Sequence, residues 1–164
     1  MMAVGENARQ PRRIAVGSDH VGFPLKEAVK SFLGERGIEY LDLGTHTEER
    51  TDYPLFARKV ARMVAAGEAS SGILICGTGI GMSIAANKVP GIRAAACSEP
   101  YSASLARQHN NANILTFGAR VVGEGLALMI VEAWLEAGYL AGRHARRIEM
   151  ITQIEAESHA GWRE

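Results

Sequence analysis

Short apolar runs alternate with amphipathic stretches along most of the chain. Five runs are rich in β-branched residues and too short for helices, so they predict buried strands. These runs cover residues 13–18, 38–43, 73–76, 92–97 and 114–117. Between them, apolar residues recur at helical spacing and predict helices that begin near Pro24, Tyr53, Met82, Pro100 and Gly123. Ser98 is the predicted capping residue of the helix at Pro100. A last helix is predicted over 143–157.

Five strands that alternate with helices predict an α/β fold. We expect a three-layer αβα sandwich with a five-stranded parallel sheet, of Rossmann-like type. One domain is predicted over 12–158, with a disordered tail over 1–11 and a loose C-terminus over 159–164. In such folds ligands bind beyond the carboxyl ends of the strands. The residues predicted at those ends are Asp19–His20, Thr45–His46, Cys76, Ser98–Glu99 and Arg120.

Composition narrows the possible partners. The 164 residues carry a formal net charge of zero, so there is no overall electrostatic reason to expect nucleic acid or an anionic membrane. No apolar run approaches the ~20 residues of a membrane span. The first residues lack the apolar stretch of a secretory signal. The two cysteines end apolar runs and form no disulfide framework, so we expect a cytoplasmic protein.

A glycine-rich turn, Gly77–Gly81, joins the third strand to the next helix. Glycines let backbone N–H groups point into one concavity, and a helix N-terminus favours negative charge there. The turn therefore predicts an anion site that includes Thr78 and Ile80. It is not a Walker loop, because no Gly-Lys-Ser/Thr follows, and it misses the dinucleotide fingerprint, because the third glycine position falls on Met82. A tight turn that binds no ligand is the alternative.

Cys76 is the last residue of the third strand and adjoins this turn. A thiol beside unpaired N–H groups is favoured as the thiolate, which makes Cys76 a candidate base or nucleophile. The alternative is a small buried apolar residue, and that is our interpretation of Cys97. Asp19 and His20 follow the first strand, where they are either a cap with a surface imidazole or contacts to a substrate.

The C-terminal third supplies further candidates. His109 ends a helix, where the dipole also favours a cation for purely structural reasons. Arg143 and Arg147 are four residues apart, so both guanidinium groups lie on one helix face and suit a phosphate. An ordinary solvated face is the alternative. The histidines are too scattered to predict a metal site.

Six segments, in this order, resemble the sugar-phosphate isomerase family that contains type B ribose-5-phosphate isomerases and the galactose-6-phosphate and allose-6-phosphate isomerases. The resemblance runs from about residue 13 to residue 154. The segments that carry it are 17–23, 49–54, 72–88, 91–103, 107–123 and 142–147.

The resemblance implies interconversion of D-ribose 5-phosphate and D-ribulose 5-phosphate through an enediolate, in the non-oxidative pentose phosphate pathway, without metal or cofactor. It implies that Cys76 moves the proton between C1 and C2 and that His109 helps to open the sugar ring. Gly77–Gly81 form the anion hole, with the Thr78 hydroxyl near the reacting oxygens. Positions at the sugar or phosphate are Asp19, His20, Asn110, Arg120, Arg143 and Arg147. One branch of the family uses a glutamate where this chain has Met82, which leaves Cys76 as the base.

The resemblance also implies a homodimer whose active site is shared, with the C-terminal helix extending to the partner subunit; pairing into tetramers stays open. Three other functions stay open. The residues above do not distinguish a five-carbon from a six-carbon sugar phosphate. The same chemistry on a six-carbon sugar phosphate is one alternative. A thiol hydrolase, with Cys76 as nucleophile and His109 as base, is another. The third is a non-catalytic nucleotide-binding module.

Overall fold

The fold is known from a computed structural model that describes residues 13–160, so the predicted tail over 1–11 lies outside the described residues. The strands are β1 (Ile14–Ser18), β2 (Tyr40–Asp42), β3 (Ser71–Cys76), β4 (Ala94–Ala96) and β5 (Ile114–Gly118). The helices are α1 (Phe23–Glu35), α2 (Tyr53–Ala65), α3 (Ile80–Ala86), α4 (Pro100–Asn110), α5 (Glu124–Glu136) and α6 (Arg143–Ala160). All strand pairs are parallel, and the order is β2-β1-β3-β5-β4.

Alternate side chains of β3 enter two separate apolar cores. Ile73 and Ile75 face the core beneath α1, α4 and α5, which Trp134 also fills. Leu74 and Cys76 face the core beneath α2 and α3. Because successive strand residues point to opposite faces, a strand that is apolar at every position fits a sheet covered on both sides. The predicted three-layer sandwich is confirmed.

The two edge strands are shorter than predicted. The predicted strands cover 38–43 and 92–97, but the observed strands β2 and β4 have only three residues each. The N–H of Ile38 donates instead to the carbonyl of Leu33, which closes α1, and the N–H of Ile92 bonds within the turn after α3. At the other ends the bonds still go to the sheet, because the N–H of Leu43 donates to the carbonyl of Val16 at 2.8 Å and the N–H of Cys97 to that of Thr116 at 2.9 Å.

Helix α3 begins at Ile80, two residues before the predicted start at Met82, and the other helices begin within a residue or so of the predicted starts. The capping residue of α4 differs from the prediction. The predicted cap, Ser98, is wrong, because Glu99 occupies the capping position. Both carboxylate oxygens of Glu99 accept from the N–H of Ser102, at 2.9 and 3.0 Å. A longer acidic side chain thus serves the orphan donors of the first turn. Helices α1 and α2 begin with a proline in the first turn, as predicted.

Helix α6 is attached near the end of α4. The N–H of Leu140, in the preceding loop, donates to the carbonyl of Gln108 at 3.1 Å. Three apolar side chains of α6, Met150, Ile151 and Ile154, are about half exposed. The helix runs to Ala160, inside the end predicted to be loose, and 161–164 lie outside the described residues. Over the described range, the helices are too short or too polar to span a membrane.

Candidate active site

The thiol of Cys76 lies under the glycine turn at the end of β3. Its Sγ accepts a hydrogen bond from the N–H of Gly79 at 3.2 Å. The carbonyl of Cys76 accepts from the N–H of Ala119 at 2.8 Å, which connects the start of the turn to the end of β5. The bond from Gly79 places a backbone donor directly beside the sulfur. The residue is 4% exposed and belongs to the core beneath α2 and α3.

The turn lies so close to β5 that two positions require glycine. Gly79 has a φ of +80°, and a Cβ there would lie 2.6 Å from Cα of Phe117. A Cβ on Gly118 would lie 2.5 Å from Cα of Thr78. Real Cβ atoms do not approach backbone this closely, and the positive φ excludes most side chains. The glycines are therefore needed for the path of the chain around Cys76.

The outer side of the turn is open. Thr78 and Ile80 are exposed, and the Thr78 Oγ1 accepts from the N–H of Ile80 at 3.3 Å. This contact uses a lone pair, so the hydroxyl hydrogen can be donated to a ligand. Gly81 packs against Tyr53, because a Cβ on Gly81 would lie 2.7 Å from the Tyr53 ring.

Three further predicted residues lie at the same edge of the sheet. Asp19 is buried, and its Oδ1 accepts from the N–H of Gly22 at 2.9 Å, so it does cap the turn before α1. His20 accepts at Nδ1 from the N–H of Thr51 at 3.2 Å. The side chain of Arg120 lies 3.8 Å from the position of a Cβ on Gly77. We call the residues at this edge the thiol cluster: Asp19, His20, Cys76, Gly77–Gly81 and Arg120.

A second group of predicted residues forms around two stacked imidazoles. The rings of His109 and His144 are 4.2 Å apart and 9° from parallel. Burial, followed by the charges of His109, Arg143 and Arg147, lowers the pKa of His144. This grouping of cationic side chains suits a phosphate. We call it the histidine cluster: His109, Asn110, Arg143, His144 and Arg147.

The two clusters lie at opposite edges of the sheet. The thiol cluster is at the carboxyl ends of the strands, where Cys76 pairs with Gly118. Asn110 is at the amino ends, because its carbonyl accepts from Nε of Arg93, directly before β4. The length of β5 separates these edges, ~13 Å at ~3.3 Å per residue. A single chain therefore does not bring Cys76 and His109 together.

The remaining candidates contribute less. Burial, with the charge of Glu99, raises the pKa of Cys97 to about 11, which fits the apolar role assigned to that residue. His46 is exposed and Thr45 is buried, with its N–H donating to the carbonyl of Ser18. Within the described residues, no three His, Cys, Asp or Glu side chains are grouped as a metal site would require.

His144 is a member of the histidine cluster that sequence reasoning did not single out. It follows Arg143 by one residue and so was not on the face defined by Arg143 and Arg147. Its partner His109 belongs to another helix, and spacing within α6 carries no signal of that contact. The only sequence hint was its place between two candidate phosphate ligands.

Three cavities of the described chain lie away from Cys76. One of about 420 Å³ is at the amino edge and is lined by Phe32 and Trp134. One of about 530 Å³ lies between α6 and β4, and one of about 420 Å³ lies beside Met63. Cys76 lines none of these three cavities.

Comparison with known proteins defines the class. A family model described as Ribose/Galactose Isomerase matches residues 14–151, and the chain belongs to that family. Its relatives include ribose-5-phosphate isomerase B of Escherichia coli K12, 62% identical over 144 residues, 88% of this chain and 97% of that protein. The galactose-6-phosphate isomerase subunit LacB of Clostridium acetobutylicum is 41% identical over 126 residues, 77% of this chain and 73% of that protein.

A solved structure agrees with the fold. Ribose-5-phosphate isomerase B of Clostridium thermocellum superposes with a TM-score of 0.88 at 55% identity, over 89% of this chain and 99% of that one. The family resemblance seen in the sequence is thus confirmed. These relatives favour an isomerase over a thiol hydrolase or a non-catalytic nucleotide-binding module.

Proposed function

We propose that this chain is an aldose–ketose isomerase that interconverts D-ribose 5-phosphate and D-ribulose 5-phosphate through an enediolate. The observation that carries the proposal is the sulfur of Cys76, 3.2 Å from the N–H of Gly79 in an anion-binding turn. The 62% identity with the Escherichia coli ribose-5-phosphate isomerase B supports the five-carbon substrate. The reaction needs no redox partner, because one carbon is oxidised as its neighbour is reduced.

In this proposal the Cys76 thiolate removes the proton from C2 of the open-chain aldose. The C–H electron pair becomes the C1–C2 double bond, and the carbonyl electrons move to O1, which gives the enediolate. The C2 hydroxyl proton then passes to O1, and the proton held on sulfur returns at C1, which leaves a ketone at C2. The N–H groups of Gly77–Gly81 and the Thr78 hydroxyl donate to the charge that develops on the oxygens.

The histidine cluster would act on the other end of the substrate. His109 is assigned the proton transfer that opens the ring, which needs an acid at the ring oxygen and a base at the anomeric hydroxyl. Arg143 and Arg147, with Asn110, are assigned to the phosphate, and binding energy gained there holds the reacting carbons in place. Arg120, Asp19 and His20 are assigned to the sugar and phosphate from the side of the thiol.

We further propose that two copies of the chain share each active site. The separation of Cys76 and His109 within one chain supports this, because the mechanism needs both on one sugar. The exposed apolar face of α6, with Met150, Ile151 and Ile154, supports a second copy as the molecule that covers it. Two free, buried cysteines fit a reducing cytoplasm, where we place the enzyme.

A six-carbon sugar phosphate is the second candidate substrate, and the relation to the galactose-6-phosphate isomerase subunit favours it. Side-by-side turnover of D-ribose 5-phosphate, D-allose 6-phosphate and D-galactose 6-phosphate decides between the five-carbon and six-carbon substrates. The proposal predicts a higher kcat/KM for ribose 5-phosphate. Preference for a six-carbon sugar would overturn the substrate assignment, and turnover of none of these sugar phosphates would overturn the proposed function.

A further inference from the structure

Lys26 is a charged residue that is completely buried. Its side chain lies at 0% exposure in the first turns of α1. Its Nζ donates to Oδ1 of Asp42 at 2.5 Å and to the carbonyl of Thr45 at 2.6 Å, and it lies 5.4 Å from the centre of the Phe23 ring. A buried ion pair is seldom more stabilising than apolar residues of the same volume. Stability alone therefore does not explain this lysine.

The contacts of Lys26 fix the start of one loop. We call residues 43–52 the β2–α2 loop. Asp42, at the end of β2, also accepts from the N–H of Gly44 at 3.0 Å. The N–H of Thr45 donates to the carbonyl of Ser18 at 2.8 Å. Lys26 thus joins α1, the end of β2 and the loop. The loop is bonded at Thr45 to Ser18, the residue before Asp19.

The far end of the same loop holds His20. The N–H of Thr51 donates to Nδ1 of His20 at 3.2 Å. A ring nitrogen that accepts carries no proton, so the neutral imidazole has its proton on Nε2. The loop therefore selects one tautomer and leaves a single N–H donor for an oxygen of a ligand.

We propose that Lys26 is a positioning residue for the isomerisation. Paired with Asp42, it anchors the β2–α2 loop so that the Thr51 N–H keeps His20 as the Nε2–H tautomer facing the phosphorylated sugar. This inference rests on the proposed function and deepens it. Lys26 itself does not touch the substrate, and its effect passes through the loop to His20.

Lys30 provides a matched control. Its Nζ contacts the same carboxylate, at Oδ2 of Asp42 and 2.7 Å, and it also bonds Glu27. Lys30→Met and Lys26→Met each remove one positive charge from Asp42. Only Lys26→Met removes the hydrogen bond to the loop at Thr45. Methionine preserves most of the volume of either lysine, and circular dichroism checks that both variants fold.

The first measurement is the tautomer of His20, from long-range proton–nitrogen NMR spectra assigned with His20→Asn. We expect the Nε2–H form in the wild type and in Lys30→Met, and a mixture of tautomers in Lys26→Met. The second is kcat/KM for ribose 5-phosphate, which should fall at least about 10-fold in Lys26→Met and change less than about twofold in Lys30→Met.

Each outcome decides the proposal. A wild-type His20 protonated at Nδ1 would overturn it, as would a Lys26→Met variant with the wild-type tautomer and turnover. If Lys26→Met does not fold, Asp42→Asn, which removes the carboxylate that pairs with Lys26, must give the same mixture of tautomers, and the wild-type tautomer in that variant would overturn the proposal. A wild type that does not isomerise ribose 5-phosphate, with the expected tautomer changes, would refute the proposed function and leave the anchoring intact.

Discussion

His109 and His144 stack face to face across the α4–α6 junction, with ring centres 4.2 Å apart. They come from different helices, and the charged groups nearest to His144 in sequence are arginines. Stacking two imidazoles is tolerated when at least one is neutral. Burial, followed by the charge of His109 and of the two arginines, lowers the pKa of His144 and so favours its neutral form.

A bound phosphate should reverse this effect. An anion held by Arg143 and Arg147 favours the protonated form of His144, so inorganic phosphate should raise its pKa. Proton NMR titration of the histidines, with and without phosphate, measures the change. Arg147→Met should abolish the response, whereas Arg146→Met, one residue away, should retain it. A pKa of His144 that ignores phosphate would contradict the assignment of this cluster.

Mixing two inactive variants tests the shared site. Cys76→Ala lacks the thiol and His109→Ala lacks the ring-opening histidine, so each alone should be inactive. After subunit exchange at equal concentrations, half of the dimers are mixed, and each mixed dimer has one intact site. We expect recovery of about a quarter of the wild-type activity. A mixture that stays inactive after proven exchange would place both residues in one chain's site.

Gly79→Ala should damage both stability and turnover. Its φ of +80° and the 2.6 Å approach of a Cβ to Phe117 force the turn away from Cys76. We expect a loss of at least about 2 kcal/mol in the free energy of unfolding. Gly34→Ala is the control, because nothing lies within 4 Å of its Cβ position in α1. It should be neutral or stabilising by about 0.5–1 kcal/mol. Equal effects of the two would refute this account of the turn, and urea denaturation gives both values.

The pairing of Asp42 with Lys26 should make the free energy of unfolding depend on pH in the acid range. Burial alone would raise the pKa of Asp42, but hydrogen bonds from Lys26, Lys30 and the Gly44 N–H lower it from 3.8 to about 2. Because the folded pKa is the lower one, the stabilisation is present above about pH 4 and lost as pH falls towards 2. It is worth about 2 kcal/mol.

Urea denaturation from pH 5 down to pH 2 measures this contribution. The gap in unfolding free energy between the wild type and Asp42→Asn should shrink by about that amount on acidification. Asp52→Asn serves as the control, because Asp52 is exposed and makes no side-chain capping bond. A gap that stays constant over this range would contradict the lowered pKa of Asp42.

The central strands could be read from the sequence because their pattern is local. An uninterrupted apolar run at β3 requires cover on both faces, whatever surrounds it. The sequence does not show where β2 and β4 begin, since Ile38 and Ile92 bond to nearby turns instead of the sheet. The prediction for the cap of α4 failed because Ser98 is a preferred capping residue and Glu99 is not, yet the path of the backbone puts Glu99 at the cap, where its carboxylate accepts from the N–H of Ser102.

The candidate site was predictable in its residue types but not in its contacts. Cys76 and the glycine turn are contiguous, so their hydrogen bond follows from one local geometry. The stack of His144 on His109 and the burial of Lys26 depend on the packing of separate elements. Residue spacing within one helix contains no information on such packing.

Hydrogen exchange at C2 of ribose 5-phosphate in heavy water tests the central claim most directly. If the Cys76 sulfur carries the proton, the wild type should introduce deuterium at C2. Cys76→Ala should slow that exchange by about 100- to 10,000-fold, the usual contribution of a positioned base. A rise in the pKa of His144 on adding inorganic phosphate would show that the Cys76→Ala variant still binds phosphate. Exchange by Cys76→Ala at nearly the wild-type rate would show that another group is the base.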